Sequence, residues 1–258
     1  MARSHVLFSL LLSPSFMLIG CQPPALVAIT SRPLGISFEA ALLKVPDTFY
    51  PTPSAEDKAR AAALRAEGIA LRNQGQREAA IATLQESVTL DSEALDGYVI
   101  LGWTQHLAAQ REAAAATLLK ALNRDANHVP ALNALGIVYL VDGQLEAAVE
   151  THQQAQTLTP DNEIAAYNLS LAYQRLQTLD QAIEQANRAT QLEPNNPHPW
   201  VALAIAYYSN NNIDQARQAY GQALRLDGRY GDRSFLSHLE QAGFSPEQIE
   251  LTYEVAGL

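Results

Sequence analysis

The sequence predicts an all-α fold, an array of about five helix pairs closed by further helices at its C-terminal end. Three observations carry that expectation. Alanine makes up about a sixth of the 258 residues while aromatics make up 7%, a helix-rich balance. Small residues recur with a period of 34: Gly68, Gly102, Gly136, Ser170 and Ala204 form one series. Two more series keep the same phase, Ala80, Ala114, Ala148, Ala182, Ala216 and Ser87, Ala121, Ala155, Ala189, Ala223. The length allows one or two ordinary domains or one elongated array. An apolar content of 48% suffices for a core. A net charge of -10 argues against a phosphate-binding surface for nucleic acid. A single cysteine excludes an intrachain disulfide framework and a cysteine-rich metal cluster.

Residues 1–20 read as a targeting signal. Arg3 and His5 precede the apolar run Val6–Gly20, which is too short to span a bilayer comfortably. The run ends Leu18-Ile19-Gly20-Cys21, which resembles the bacterial lipobox. That resemblance implies cleavage before Cys21 and a diacylglyceryl group on its thiol. Several acyl chains would hold the protein at a membrane, where one alone binds marginally. Gln22 follows the cysteine. By resemblance to enterobacterial sorting, the absence of Asp there favours the outer membrane, with the protein facing the periplasm. A plain signal peptide, or an N-terminal extension, is the blander reading.

Residues 21–53 contain Pro23, Pro24, Pro33, Pro46, Pro51 and Pro53, a spacing that forbids a long helix and reads as an extended tether. Within it Pro33–Val45 is apolar enough to dock as a short element or to remain a loose linker. Ser54 and Asp57 have the spacing of a capping box and open the ordered array.

The repeats follow as 61–94, 95–128, 129–162, 163–196 and 197–230, within residues 54–230. Their period and small-residue offsets resemble the tetratricopeptide repeat. Trp200, Leu101, Leu135, Leu169, Leu203, Tyr139, Tyr173, Tyr207, Pro160 and Pro194 fit that pattern; Ser92, Ala126, Gly228 and Glu67 depart from it. The resemblance implies a right-handed α-solenoid of antiparallel helix pairs. Small residues let two backbones approach where no larger side chain fits. No repeat buries its core alone.

Residues 231–258 read as capping helices. Asp232–Gln241 places Phe235, Leu236 and Leu239 on one face, and Gly243 is a helix stop. Ser245-Pro246-Glu247 is an N-cap, first-turn proline and acidic first turn of a last helix to about Val255.

Catalytic patterns are missing: no nucleophile elbow, no His-Glu-x-x-His, no phosphate loop. The chain is therefore read as non-enzymatic, with no metal and no cofactor. His152 falls where a core aromatic is expected, and the paired Glu146 and Glu150 read as a solvated helix face.

What remains is a surface. In the resembled family the first helix of each pair lines a concave groove. Carried over residue by residue, the first repeat offers Arg65, Ile69, Arg72 and Asn73, and the second Val99, Trp103, His106 and Leu107. The third offers Asn133, Ile137, Leu140 and Val141, the fourth Tyr167, Asn168, Leu171 and Arg175, the fifth Val201, Ile205 and Tyr208. The family's clamp for acidic C-terminal tails is not reproduced, because Ile69 and Ile100 stand where Asn is expected. The lining is mostly apolar, with Asn133 and Asn168 able to hold a peptide backbone. Self-occlusion by Pro33–Val45 is the competing reading.

The segment 1–53 has Arg3, Arg32 and Lys44 against Glu39 and Asp47, so the rest carries -11. An acidic body is repelled by anionic headgroups, which leaves attachment to the lipid on Cys21. The layout resembles tetratricopeptide lipoproteins that serve as secretin pilotins or envelope adaptors: a scaffold that binds a client protein or peptide at the membrane and not nucleic acid. The alternative is a chaperone-like assembly factor for membrane complexes, such as pilus-secretin or photosynthetic ones.

Overall fold

The computed structural model describes residues 52–257. They fall within one compact unit, Ile36–Leu258; the other unit, Met1–Gly35, lies outside the described residues. Among the described residues there are eleven α-helices, two 3-10 segments and no strand. The helices are α1 Ala55–Asn73, α2 Arg77–Leu90, α3 Leu95–Leu107, α4 Arg111–Arg124, α5 Val129–Val141 and α6 Leu145–Leu158. The series continues with α7 Glu163–Arg175, α8 Leu179–Leu192, α9 Pro197–Ser209, α10 Ile213–Leu226 and α11 Pro246–Ala256. From α3 to α9 the first helices begin at 95, 129, 163 and 197, and the second helices begin at 77, 111, 145, 179 and 213.

The 34-residue period is set by packing at each crossing. A Cβ on Gly68 would lie 2.5 Å from Leu84 Cγ, and one on Gly102 would lie 2.7 Å from Leu118 Cγ. A Cβ on Gly136 would overlap the ring of His152. The fourth repeat inverts the sizes: Ser170 faces the same register as Ala186, so the added side chain meets a small partner. The two alanine series are buried to 0–1%, and Ser87, the polar member, donates its hydroxyl to the Ala61 carbonyl at 2.8 Å. A buried polar group satisfied in this way costs little.

The turn inside each pair also repeats every 34 residues. Gly75, Ala109, Gly143, Gln177 and Asn211 all have φ between 57° and 80°. The next residue's amide reaches back to Leu71, Gln105, Tyr139, Tyr173 and Tyr207 carbonyls at 2.9–3.0 Å. This is the Schellman closure, which ends a helix on a left-handed residue.

α1 opens on the capping box, with Ser54 Oγ accepting from the Asp57 amide at 3.1 Å and Asp57 accepting from the Ser54 amide at 3.3 Å. Successive first helices touch (α3 on α5, α5 on α7, α7 on α9), so they form the inner layer of the array.

The C-terminal region departs from expectation in one way. Asp232–Gln241 is not an α-helix; it holds a turn followed by the 3-10 segment Phe235–Ala242. Asp232 Oδ1 accepts from the Ser234 amide and hydroxyl at 2.8 Å, which holds the chain in a turn where helix would start. Leu236 and Leu239 are fully buried in one core with residues of α9, α10 and α11 and with Tyr230, whose carbonyl accepts from Tyr220 Oη at 2.7 Å. Gly243 then turns the chain with φ +89°. The last helix, α11, is found as expected, and Ser245 and Gln248 start it with a capping box. It does not simply extend the stack beyond α10. It also packs on α9, and its Gln248 reaches α7.

Candidate peptide-binding groove

The residues expected to line a groove all lie on the first helices of their pairs, α1, α3, α5, α7 and α9, and they fall into two groups that differ in burial. The first half is open. Leu107 is 41% exposed, Asn73 is exposed, and Ile69, Arg72, Val99, Trp103, Ile137 and Val141 are half-buried. Trp103 stacks on His106 at 5.0 Å and 28°. Burial, then the nearby Arg111, holds the His106 imidazole below its usual value, so it is neutral near pH 7. Arg65 lies 3.9 Å from Asp91, a long ion pair that turns it toward the repeat junction.

The second half is filled. Leu140, Leu171, Val201 and Ile205 are fully buried and belong to one core with Leu236, Leu239, Phe244 and Val255. Tyr167 Oη donates to the Ala242 carbonyl at 2.6 Å, and its ring lies 6.3 Å from that of Phe244. Burial raises the Tyr167 phenol well above the usual value, so it stays a donor. Gln248 donates to the Leu171 carbonyl at 3.1 Å and to Gln174 Oε1 at 2.8 Å. Glu254 lies beside Tyr208 and raises its phenol pKa. The segment that reaches these residues is the chain's own 242–255. Pro33–Val45, the other candidate for that role, lies outside the described residues, as does Cys21.

The two asparagines are committed locally. Asn133 and Asn162 form a reciprocal amide pair at 2.9 and 3.3 Å, while Asn162 also caps α7. Asn168 is 4% exposed and donates to Ile164 of its own helix. Arg175 donates to the Leu140 carbonyl at 2.7 Å; desolvation pulls its pKa down and Glu247 pulls it back up. A cavity of about 340 Å³ lies here, between Arg111, Val141 and Arg175 and the turn Gly243–Glu247.

Sequence reasoning missed Gln174 and Gln248. A signal for the first was available: Gln174 stands in the same 34-residue register as His106, Leu140 and Tyr208. It also missed that His198 faces His238, with ring nitrogens 3.4 Å apart, while Tyr230 Oη lies 3.1 Å from His238. Among the described residues no group of three His, Cys, Asp or Glu is placed to hold a metal ion. No described helix is long and apolar enough to cross a membrane.

Two family models for the tetratricopeptide repeat match the chain, over residues 133–197 and 175–230. Among curated proteins none matches it. Solved structures do. MamA from Desulfovibrio magneticus RS-1 aligns with TM-score 0.59 and 21% identity, over 65% of this chain and 95% of that one. A thermophilic tetratricopeptide protein of Thermus thermophilus gives 0.57 and 21%, over 70% and 98%. A further MamA crystal structure gives 0.57 and 22%, over 66% and 93%. At such identities these likenesses establish the fold, a right-handed α-solenoid. Residues 133–230 are tetratricopeptide repeats, in a chain whose packing carries the same period on toward its N-terminus.

Proposed function

We propose that this protein is a non-enzymatic scaffold that holds an apolar segment of a client protein in the open half of its groove. The observation that supports the reading best is the exposure of Leu107, 41%, on α3 beside the half-buried Trp103, where Leu140, Leu171, Val201 and Ile205 on the later first helices are fully buried. A groove of this kind gains free energy when an apolar segment displaces its water. The lipobox-like Leu18–Cys21 supports attachment to a bacterial membrane through lipid on Cys21, with the array facing the periplasm. The proposed partners are one client protein and the membrane.

The test compares full-length wild type with Trp103→Arg/Leu107→Glu, both recovered from detergent-solubilised membranes through a C-terminal tag. Both changes lie on the open face and spare the small-residue crossings, and circular dichroism checks that both fold. A protein recovered with wild type and depleted at least ten-fold with the variant supports the groove. Equal recovery refutes it.

A further inference from the structure

A polar cluster away from the groove joins α9 to the 3-10 segment. His198 lies in the first turn of α9, where the N-cap Asn196 accepts from its backbone amide at 3.0 Å. His238 lies in the 3-10 segment between the fully buried Leu236 and Leu239. Tyr230, 1% exposed, is held through its carbonyl by Tyr220 Oη. The two histidines are 40 residues apart in sequence, yet their Nε2 atoms face each other at 3.4 Å. Tyr230 Oη lies 3.1 Å from His238 Nε2. Backbone bonds fix His198 and Tyr230, and buried neighbours fix His238, so the three polar tips are preorganised.

These groups do not satisfy one another. The Phe235 carbonyl can only accept, and His238 Nδ1 lies 2.5 Å from it, so Nδ1 carries the hydrogen. In the neutral ring Nε2 is then bare and offers a single lone pair. Two groups approach that lone pair, the Tyr230 hydroxyl and His198 Nε2. It accepts one hydrogen, and the other group faces it unbonded. A cation between the two rings removes the conflict, because a bare imidazole nitrogen is a metal ligand. A ring whose Nδ1–H is held by a backbone carbonyl is the usual arrangement of a metal-bound histidine. The spacing agrees as well: at zinc–nitrogen distances of about 2.0–2.1 Å, two ligands of a tetrahedral shell lie about 3.3 Å apart. The Arg229 guanidinium stacks over Phe235 at 4.4 Å, but its charge is paired with Asp227 at 2.7 Å, and Asp227 is within electrostatic range of His238.

We propose that His198 and His238 form a binding site for a divalent transition-metal ion of the zinc class, with Tyr230 Oη as an oxygen donor within reach and solvent completing the shell. Imidazole nitrogens suit zinc, copper and nickel, whereas magnesium and calcium take oxygen ligands. Both histidines are half-buried, so the ion enters from solvent and keeps water. Two protein nitrogens and a phenol are fewer ligands than a closed structural site uses, so the ion is exchangeable and the chain folds without it. Bound, it ties the 3-10 segment to α9 and fastens the C-terminal end of the array in proportion to the metal supplied. The site is separate from the groove and stands whether or not the scaffold reading does.

The probe is zinc chloride, titrated by calorimetry at neutral pH into full-length, chelator-treated protein in detergent that carries no polyhistidine tag. Wild type takes up zinc, and magnesium chloride gives no binding heat. His198→Gln and His238→Gln each bind zinc at least ten-fold more weakly. His128→Gln, whose ring lies 3.4 Å from Asp96 in a different part of the array, binds it as wild type does. Equal affinity in all four proteins makes the uptake adventitious and overturns the proposal. No zinc binding by folded wild type also overturns it and assigns the place between the rings to a proton on His238. Hydrogen exchange on wild type keeps the proposal testable if the glutamine variants unfold. Zinc slows exchange of the Phe235–Ala242 amides at least ten-fold and leaves those of α2 unchanged; no slowing at Phe235–Ala242 overturns it.

Discussion

His152 is a histidine in a leucine's place. It occupies the register of Leu84 and Leu118, is fully buried against Gly136, and neither ring nitrogen has a hydrogen-bond partner. Burial pushes its pKa down to about 3; the Gly136 backbone offsets part of this from a geometry too poor for a hydrogen bond. The unfolded chain binds this proton below its ordinary value of 6.5 and the folded chain does not. Stability is therefore full above pH 6.5 and falls as pH drops toward 3. At pH 5 the loss from this group is about 2 kcal/mol. His152→Leu removes two unsatisfied nitrogens and fits the space as its counterparts do. It raises stability by about 1–3 kcal/mol at pH 7 and flattens the acid dependence, read by urea unfolding at several pH values. Gly136→Ala has the opposite effect, costing about 1–3 kcal/mol, because the new Cβ and the imidazole claim the same space.

At the scale of the element, helix boundaries follow from the turns. Ala109 and Gln177 hold left-handed backbone at positions where other repeats use Gly75 and Gly143. Ala109→Gly and Gln177→Gly each relieve that strain and stabilise by about 1 kcal/mol, which thermal unfolding detects. Ser245→Ala removes a capping-box acceptor and costs about 1 kcal/mol, expressed locally as faster hydrogen exchange in α11. The period of the helices was legible in the sequence because Gly, Ala and Ser mark every crossing. The left-handed turns were not, because Ala109, Gln177 and Asn211 carry no common chemical mark. The helix start at Ser245 was legible from its cap residues. The 3-10 path of Phe235–Ala242 was not, since an apolar face of Phe235, Leu236 and Leu239 fits either helix and the Asp232 turn decides between them.

At the scale of the whole molecule, the groove divides by what covers it. The sequence placed its lining residues on inner helices, because that placement follows from the repeat register. It did not reveal that Leu140, Leu171, Val201 and Ile205 sit beneath the chain's own C-terminal segment. Contacts such as Gln248 with Gln174 join residues 74 apart and leave no local pattern. Asn133 and Asn168 likewise looked free to bind a peptide, whereas Asn162 and Ile164 engage them. The proposed lipid attachment is separable from the proposed groove. Cys21→Ser moves the protein from the membrane to the soluble fraction on cell fractionation while leaving client capture in detergent unchanged.

Site-specific photo-crosslinking tests the central claim most directly. A photoreactive residue placed at Leu107, exposed on the first helix α3, is compared with one at Lys120, exposed on the second helix α4. The account predicts a discrete client adduct from position 107 and none from position 120. Adducts from position 120 alone would place the client on the convex side and contradict it.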